Sequence, residues 1–126
     1  MAVRIKFDQA KINKLAQAQI QALEMTAEAV KSDVVASQVV PKDVGTLERS
    51  TYVETSQSKE GRVAVGLNTP YARRLYYHPE YNFRTDKNPN AQGRWMDMYL
   101  PGGEKENFAQ DTFTKFLKQL AGGLIK

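Results

Sequence analysis

The sequence predicts an α+β fold in which a long N-terminal helix and a C-terminal helix pack on a small antiparallel sheet built around a central β-hairpin. Three observations lead to this prediction. Apolar residues recur with helical spacing over the first third of the chain, two alternating segments flank a glycine turn, and a second helical stretch lies near the end. The 126 residues suit a single domain, taken as 1–126.

The first element is an alternating segment. Val3, Ile5 and Phe7 are separated by the charged residues Arg4 and Lys6. Because successive side chains of a strand point to opposite faces, this pattern predicts a short strand with one buried face.

A helix is predicted from Lys11 to about residue 37, with Asp8 as its N-cap. It ends by Val40, because the residue before Pro41 resists the helical region. Its apolar positions follow the three-and-four spacing of one helix face: Ile12, Leu15, Ala16, Ile20, Leu23, Ala27, Val30 and Val34.

This helix is long for so small a chain. At 1.5 Å per residue it would extend about 40–45 Å, whereas a compact domain of this size is only about 35 Å across. Either the helix bends or breaks, or another chain covers part of its apolar stripe. Burial by a partner is our working hypothesis.

The middle of the chain predicts a β-hairpin followed by a short helix. Residues 51–56 and 62–67 are rich in strand formers, and Ser58-Lys59-Glu60-Gly61 forms the turn between them. A helix over Tyr71–Tyr77 follows, with Asn68 or Thr69 as cap and Pro70 at its first position.

The remainder combines a long loop with the last helix. Residues 79–92 are polar and contain two prolines, and loops of that length are usually functional or mobile. Residues 94–100 fit either a strand or a short helix. The last helix begins at Asn107, with Gln110 completing a weak capping box, and Gly122-Gly123 ends it.

The amino-acid composition excludes most kinds of catalytic site. The chain has no cysteine and one histidine, which excludes disulfides, thiolate metal sites and any site that needs two histidines. Asp86 and Asp97 are not at the spacing of a catalytic pair, and His78 has no accompanying nucleophile pattern. We therefore expect no enzyme activity, no cofactor, no metal and no small-molecule substrate.

The charge is mildly basic and the chain is expected to avoid membranes. Eighteen Lys and Arg residues against fourteen Asp and Glu give a net charge of +4. No run of five or six like charges resembles a nucleic-acid arm. No stretch approaches the length of a membrane span, and no apolar segment follows Met1 that would predict a secretory signal.

Aromatic and basic residues are concentrated in one window. Seven of the twelve aromatic residues and five positive charges fall within residues 71–99. Such a mixture is enriched at interface hot spots and also suits single-stranded nucleic acid. A third reading is that Tyr71, Tyr76 and Trp95 only close the core over the hairpin. The candidate interface residues are Arg73, Arg74, Tyr76, Tyr77, Arg84, Arg94 and Trp95.

Several short motifs follow one another in a definite order. They are Pro41-x-Asp43-x-Gly45-x-Leu47-x-x-Ser50, a hairpin ending in Val65-Gly66, Pro70-Tyr71-Ala72, and Gly93-Arg94-Trp95. Over roughly residues 10–120, this order resembles the minor capsid or neck proteins of tailed bacteriophages, also described as head–tail joining or tail-completion components. The run Tyr71–Tyr77 is similar to the branch found in phages of Gram-positive hosts.

Two of these motif residues have a direct physical interpretation. Gly45 permits a backbone angle that a Cβ atom would penalise. Asp43 can bond backbone amides near the start of the Leu47 turn. The resemblance implies an α+β fold whose turns depend on these residues.

The resemblance implies a structural protein of the virion neck, made in the bacterial host cytoplasm. Such proteins are typically monomeric when free and form a homo-oligomeric ring between the portal side and the tail. Its partners would be further copies of itself and other neck, portal-side or tail proteins, with non-specific contact to DNA in the channel. The alternative is a small basic nucleic-acid-binding module using the arginines and tyrosines of residues 71–99.

Overall fold

The computed structural model describes residues 8–42, 46–83 and 85–122. The predicted strand at Val3–Phe7 lies outside these residues. The element order is α1 (Gln9–Ala36), α2 (Thr46–Arg49), β1 (Thr51–Glu54), β2 (Ala64–Leu67), α3 (Ala72–Tyr76) and α4 (Phe108–Ala121). A long N-terminal helix, a C-terminal helix and a two-stranded antiparallel sheet make an α+β fold, which confirms the predicted class.

Helix α1 forms where the apolar spacing predicted it. The Asp8 carboxylate accepts a hydrogen bond from the Lys11 amide at 3.2 Å, which satisfies one free donor of the first turn. Its 28 residues correspond to a rod of about 42 Å. Buried positions run only from Ala18 to Val34, whereas Ile12 near the start is 44% exposed.

Strands β1 and β2 form the predicted hairpin. Thr51 pairs with Leu67 and Glu54 with Ala64, in antiparallel register. The connection contains a turn of 3-10 helix at Ser58–Glu60, and Gly61 ends it at φ 83°, where a side chain would be strained. The hydroxyl of Ser58 donates to the Glu24 carboxylate at 2.6 Å and thereby ties the hairpin connection to α1.

The core lies between the C-terminal half of α1, the hairpin and α3. Its buried members are Val34, Val39, Val40, Leu47, Ala72 and Trp95. Helix α4 packs along α1. Lys105, just before α4, bonds to Asp33 and Ser37 at the end of α1, so α4 starts at that end and runs back along α1.

Two predicted helix caps are wrong. Helix α3 begins at Ala72 rather than at Pro70, because Pro70 lies inside a turn in which the Ala72 amide bonds to the Thr69 carbonyl at 3.3 Å. The Thr69 hydroxyl is buried without a hydrogen-bond partner among the described residues, so it caps nothing. Asn107 precedes α4 but its side chain makes no capping bond.

The spacing of Phe113, Phe116, Leu117 and Leu120, joined by Leu124, predicts one buried face for the last helix, and the last turn of α4 departs from it. Phe113, Phe116 and Leu117 are half-buried, whereas Leu120 is exposed. Leu124, considered as a further member, lies outside the described residues.

The segment 79–92 is a loop, but its second half is attached to the core. Asn88 is 2% exposed, and its amide donates to the Val40 carbonyl at 2.8 Å and to the Glu48 carboxylate at 3.2 Å. The backbone amide of Gln92 donates to the Val39 carbonyl at 3.0 Å. These bonds hold residues 88–92 in place within the free chain, so this part does not need a partner to become ordered.

Residues 94–100, for which the sequence leaves strand and short helix open, form turns and one short helical segment rather than a strand. A single 3-10 turn spans Asp97–Tyr99. It brings Tyr99 against α1, where the tyrosine hydroxyl donates to the Asp33 carboxylate.

Candidate interaction surface

Trp95, one of the candidate interface residues, is buried and does not contribute to the exposed surface. Its side chain is 2% exposed and belongs to the core with Val34 and Leu47. The Tyr76 ring stands edge-on to the indole, with centroids 4.9 Å apart and planes at 85°, a geometry that aromatic pairs favour. Trp95 therefore supports Tyr76 from below and does not itself offer contact area.

The backbone next to Trp95 is unusual. Gly93 approaches Pro79 so closely that an added Cβ atom would lie 2.7 Å from the Pro79 Cα. Arg94 has φ 49°, in the left-handed region, and its amide donates to the Tyr76 carbonyl at 2.8 Å. Non-glycine residues rarely adopt this conformation. Here it turns the Arg94 side chain towards α3 while Trp95 enters the core.

Asp97 holds two of the surface residues together. Its carboxylate accepts a hydrogen bond from the Tyr76 hydroxyl at 2.6 Å and pairs with the Arg94 guanidinium at 2.6 Å. These two bonds hold the pKa of the Asp97 carboxyl below its ordinary value. Burial and the bond to Asp97 raise the pKa of the Tyr76 hydroxyl, which remains a neutral donor.

Tyr77 is the exposed centre of the site. It is 56% exposed and lies edge-on to Tyr76, with centroids 5.1 Å apart. The guanidinium of Arg73 lies 5.9 Å from its ring centroid and that of Arg94 lies 5.6 Å away. We call Arg73, Tyr76, Tyr77 and Arg94 the arginine–tyrosine surface. Among the described residues, Arg73 has no carboxylate partner.

A second aromatic group continues from the end of α3. The Arg74 guanidinium donates to the Tyr81 hydroxyl at 3.3 Å and lies 6.0 Å from that ring. Tyr81 stacks on His78, with centroids 4.7 Å apart and planes at 8°. His78 Nδ1 lies 2.8 Å from the Glu80 carboxylate, and this hydrogen bond lowers the pKa of Glu80. His78 is thus a packed histidine at the end of a helix.

A groove of about 300 Å³ separates the arginine–tyrosine surface from strand β2. It is lined by apolar and aromatic side chains, with Arg73 at its rim. The strand side comprises Val65, Gly66 and Leu67, and the opposite side comprises Ala72, Tyr76, Tyr77, Trp95 and Met96.

The other motif residues are spread over the fold. Leu47 is 3% exposed and packs in the core, whereas Pro41 is half-buried in the connection between α1 and α2. Pro70 and Tyr71 are exposed just before α3. Asp43, Gly45 and Arg84 lie outside the described residues. The structure thus brings together Arg73, Tyr76, Tyr77, Arg94 and Trp95, and it places Arg74 beside them with Tyr81.

Sequence reasoning missed Asp97 and Asn88. Asp97 was considered only as a member of a catalytic pair, although its position three residues after Arg94 is a spacing at which opposite charges meet on a helical turn. Asn88 carried no signal, because its partners Val40 and Glu48 are at least forty residues away in the chain.

Within residues 8–42, 46–83 and 85–122, no group of three or more metal-ligating side chains is close enough to hold an ion. Over the same ranges, no helix has the length and apolar content needed to cross a bilayer. Comparisons with protein-family models, curated proteins and solved structures found no match to this chain. Function is therefore argued from the residues, their geometry and the order of the motifs.

Proposed function

We propose that the chain is a non-enzymatic structural protein of a tailed-bacteriophage virion, acting in the neck as a head–tail connector component. It assembles as a ring between the portal side and the tail. The order of the sequence motifs directs the proposal to this family of proteins. The structural observation that supports a contact role is the exposed Tyr77 ring between the guanidiniums of Arg73 and Arg94.

This arrangement has the properties of a protein-binding hot spot. Tyrosine and arginine dominate the binding energy of protein interfaces, and they contribute most when they are held in place before binding. Arg94 is restrained by Asp97 and by its own amide bond to Tyr76, and Tyr76 is supported by the buried Trp95. Little side-chain entropy is left for Arg94 and Tyr76 to lose on docking.

The unpaired guanidinium of Arg73 indicates the sign of the partner surface. Arg73 and Arg74 are adjacent and exposed, and neither has a carboxylate partner among the described residues. A partner protein that brings carboxylates to these positions would form charge-assisted hydrogen bonds. In a neck ring, the same charge also permits non-specific contact with DNA in the channel.

The first experiment substitutes Arg73 and Arg74, the two exposed arginines without a carboxylate partner among the described residues. In a phage that encodes this chain, the Arg73→Glu/Arg74→Glu variant is expected to fold but to leave heads and tails unjoined, because the reversed charges repel the acidic partner. Electron microscopy of lysates and plaque counts measure the joining. Lys59→Glu/Arg62→Glu is the matched control, since it makes the same charge change on the exposed hairpin turn.

Two measurements test the neck role and the assignment of the contact surface separately. A gold label on the chain is expected at the neck of purified virions, and its absence there contradicts the neck role. Infectious particles from the Arg73→Glu/Arg74→Glu variant contradict the assignment of the contact surface, even if the label is found at the neck.

The alternative function, a basic nucleic-acid-binding module, uses the same arginines and makes a different prediction. Binding through phosphates releases counterions, so affinity for single-stranded DNA should fall steeply between low and moderate salt. A gel-shift titration at several salt concentrations measures this. A strong, salt-sensitive shift that the Arg73→Glu/Arg74→Glu variant loses, together with no label at the virion neck, would favour the module over the neck protein, because non-specific DNA contact alone is expected of both.

A further inference from the structure

Strand β2 has a free edge. The hydrogen bond from the Asn68 amide to the Ser50 carbonyl, at 3.2 Å, continues the β1–β2 ladder and sets its alternation. In that alternation the backbone groups of Ala64 and Gly66 point towards β1, whereas those of Val65 and Leu67 point away from it. No other described residue hydrogen-bonds to the backbone of Val65 or Leu67.

Apart from its short length of four residues, this edge lacks the sequence features that usually protect an edge strand. Natural proteins place lysine, proline or a bulge on such edges to prevent further pairing. Strand β2 reads Ala64-Val65-Gly66-Leu67, which contains neither charge nor proline. The apolar groove described above runs beside Val65 and Leu67 and is open to receive side chains from an added strand.

We propose that residues 3–7 of a second copy of this chain add to the edge of β2 as a third, antiparallel strand. The added backbone would bond to the free groups of Val65 and Leu67, in the manner of strand addition. The pairing between two copies is independent of the proposed neck function. Only the idea that this strand addition links subunits in a ring rests on that function.

The donor must be a second copy, because α1 begins too far from β2 of the same chain for the residues that precede the helix to lie along that strand. Leu23 of α1 lines the same cavity as Ala64 at the start of β2. Gln9 lies fourteen residues before Leu23, which is about 21 Å along the helix. Seven fully extended residues span only about 23–25 Å, so they could reach the near end of β2 but could not lie along it.

The donor segment matches the edge in length and pattern. Val3, Ile5 and Phe7 alternate over five residues, against the four residues of β2. With the apolar side chains over the groove, Arg4 and Lys6 face the opposite side of the sheet. That side carries the exposed Glu54 and no described positive residue of either strand.

The exposed start of α1 is consistent with this arrangement. From Gln9 to Lys14 every residue is exposed, including Ile12 at 44%. The helix therefore extends past the rest of the described fold, and the donor segment directly precedes this exposed end in the sequence. An arm of this kind is suited to reach a neighbouring subunit.

Disulfide trapping between full-length copies tests the pairing, and the natural chain has no cysteine to interfere. One batch carries Lys6→Cys or Arg4→Cys, and the other carries Ala64→Cys with a different tag. Ala64 bonds to β1, so it would lie at a non-hydrogen-bonded position opposite the added strand, where Cα atoms are about 4.5 Å apart and disulfides form readily.

Mixing under mild oxidation at high protein concentration is expected to give a disulfide-linked heterodimer with Ala64→Cys. The matched control is Lys59→Cys on the exposed hairpin turn, for which we expect at least tenfold less heterodimer. Equal trapping with both partners, or no heterodimer with Ala64→Cys, overturns the proposal. So does an intrachain disulfide in a chain that carries both Lys6→Cys and Ala64→Cys.

The trapping experiment and the virion experiments can fail separately. Selective trapping without a label at the virion neck would support the strand addition and contradict the neck role. A label at the neck without selective trapping would support the neck role and contradict the strand addition.

Discussion

Arg94 is a strained residue at the centre of the arginine–tyrosine surface. A left-handed backbone costs a non-glycine residue about 1–3 kcal/mol and persists only where the surroundings enforce it. The Tyr76 carbonyl holds the Arg94 amide and Asp97 holds the guanidinium. Because such strain concentrates at functional sites, Arg94 supports a role for this surface that its position in the chain alone did not indicate.

Asn88 has a different role, because its hydrogen bonds attach the loop at 79–92 to the core. Replacing Asn88 with Ala removes bonds to Val40 and Glu48 and leaves a buried carbonyl unpaired. We expect the free energy of unfolding to fall by about 2 kcal/mol. Urea denaturation of Asn88→Ala measures this loss.

Asn90 supplies the matched control for that measurement. It lies two residues further along the same loop, is exposed, and makes one bond to the Ser37 carbonyl. Asn90→Ala should cost no more than about 0.5 kcal/mol. Equal losses for both variants would contradict the anchoring role of Asn88.

At the scale of elements, α1 divides into a buried and an exposed part. The apolar stripe predicted from Ile12 to Val34 is continuous in sequence, yet α4, the hairpin and the core residues cover it only from Ala18 onwards. The sequence predicted a helix longer than the diameter of a compact domain of this size. In the structure, α1 is continuous over Gln9–Ala36 and extends beyond the core of its own chain. Burial of the exposed turns by a partner stays a prediction.

This division of α1 can be measured by truncating one side chain in each part. Val34 is fully buried in the core cluster, so Val34→Ala should reduce the free energy of unfolding by about 2–3 kcal/mol through lost contacts and a cavity. Ile12→Ala removes a side chain that is already 44% exposed and should cost less than about 0.5 kcal/mol.

Thermal or urea unfolding of dilute protein is the relevant measurement, because self-association would stabilise α1. If Ile12→Ala destabilises the dilute protein as much as Val34→Ala does, then residues 9–17 are covered within the single chain. That result would also remove the exposed arm on which the strand addition depends.

Across the whole molecule, carboxylates join segments that are distant in sequence. Asp33 on α1 accepts hydrogen bonds from Tyr99 and from Lys105, which lies 72 residues away. Burial raises the pKa of the Asp33 carboxyl, but the bonds from Lys105 and Tyr99 outweigh burial and hold it below its ordinary value. Asp97 is shifted in the same direction by Tyr76 and Arg94.

These shifts predict a loss of stability in acid. A carboxylate with a lowered pKa in the folded state stabilises the fold above its unfolded-state pKa, and that contribution disappears as the pH falls through the folded value. The free energy of unfolding should therefore decrease below about pH 4. Denaturant titrations at a series of pH values measure the decrease.

The Asp33→Asn/Asp97→Asn variant identifies the groups responsible. It removes both titrating carboxyls, so its stability should be lower at pH 7 but should fall less steeply between about pH 4 and pH 2. An unchanged acid slope in this variant would assign the acid sensitivity to other carboxylates.

Most of the fold could be predicted because its elements carry local signals. The spacing of apolar residues in α1, the Asp8 cap and the Gly61 turn of the hairpin depend on neighbours in sequence. The start of α3 was wrong by two residues, since Pro70 is placed by a turn rather than by the helix. The contact of Asn88 with Val40 joins residues too far apart for any pattern to reveal.

The sequence by itself determined the α+β class, the long first helix, the hairpin and the concentration of arginines and tyrosines in residues 71–99. Only the tertiary structure decided which of those rings are buried, since Trp95 lies in the core and Tyr77 stands exposed above it. It also decided that Asp97 orients Arg94 and that β2 keeps a free edge. The physical reason is that periodicity and capping act within a few residues, whereas burial and strand edges depend on what the rest of the chain covers.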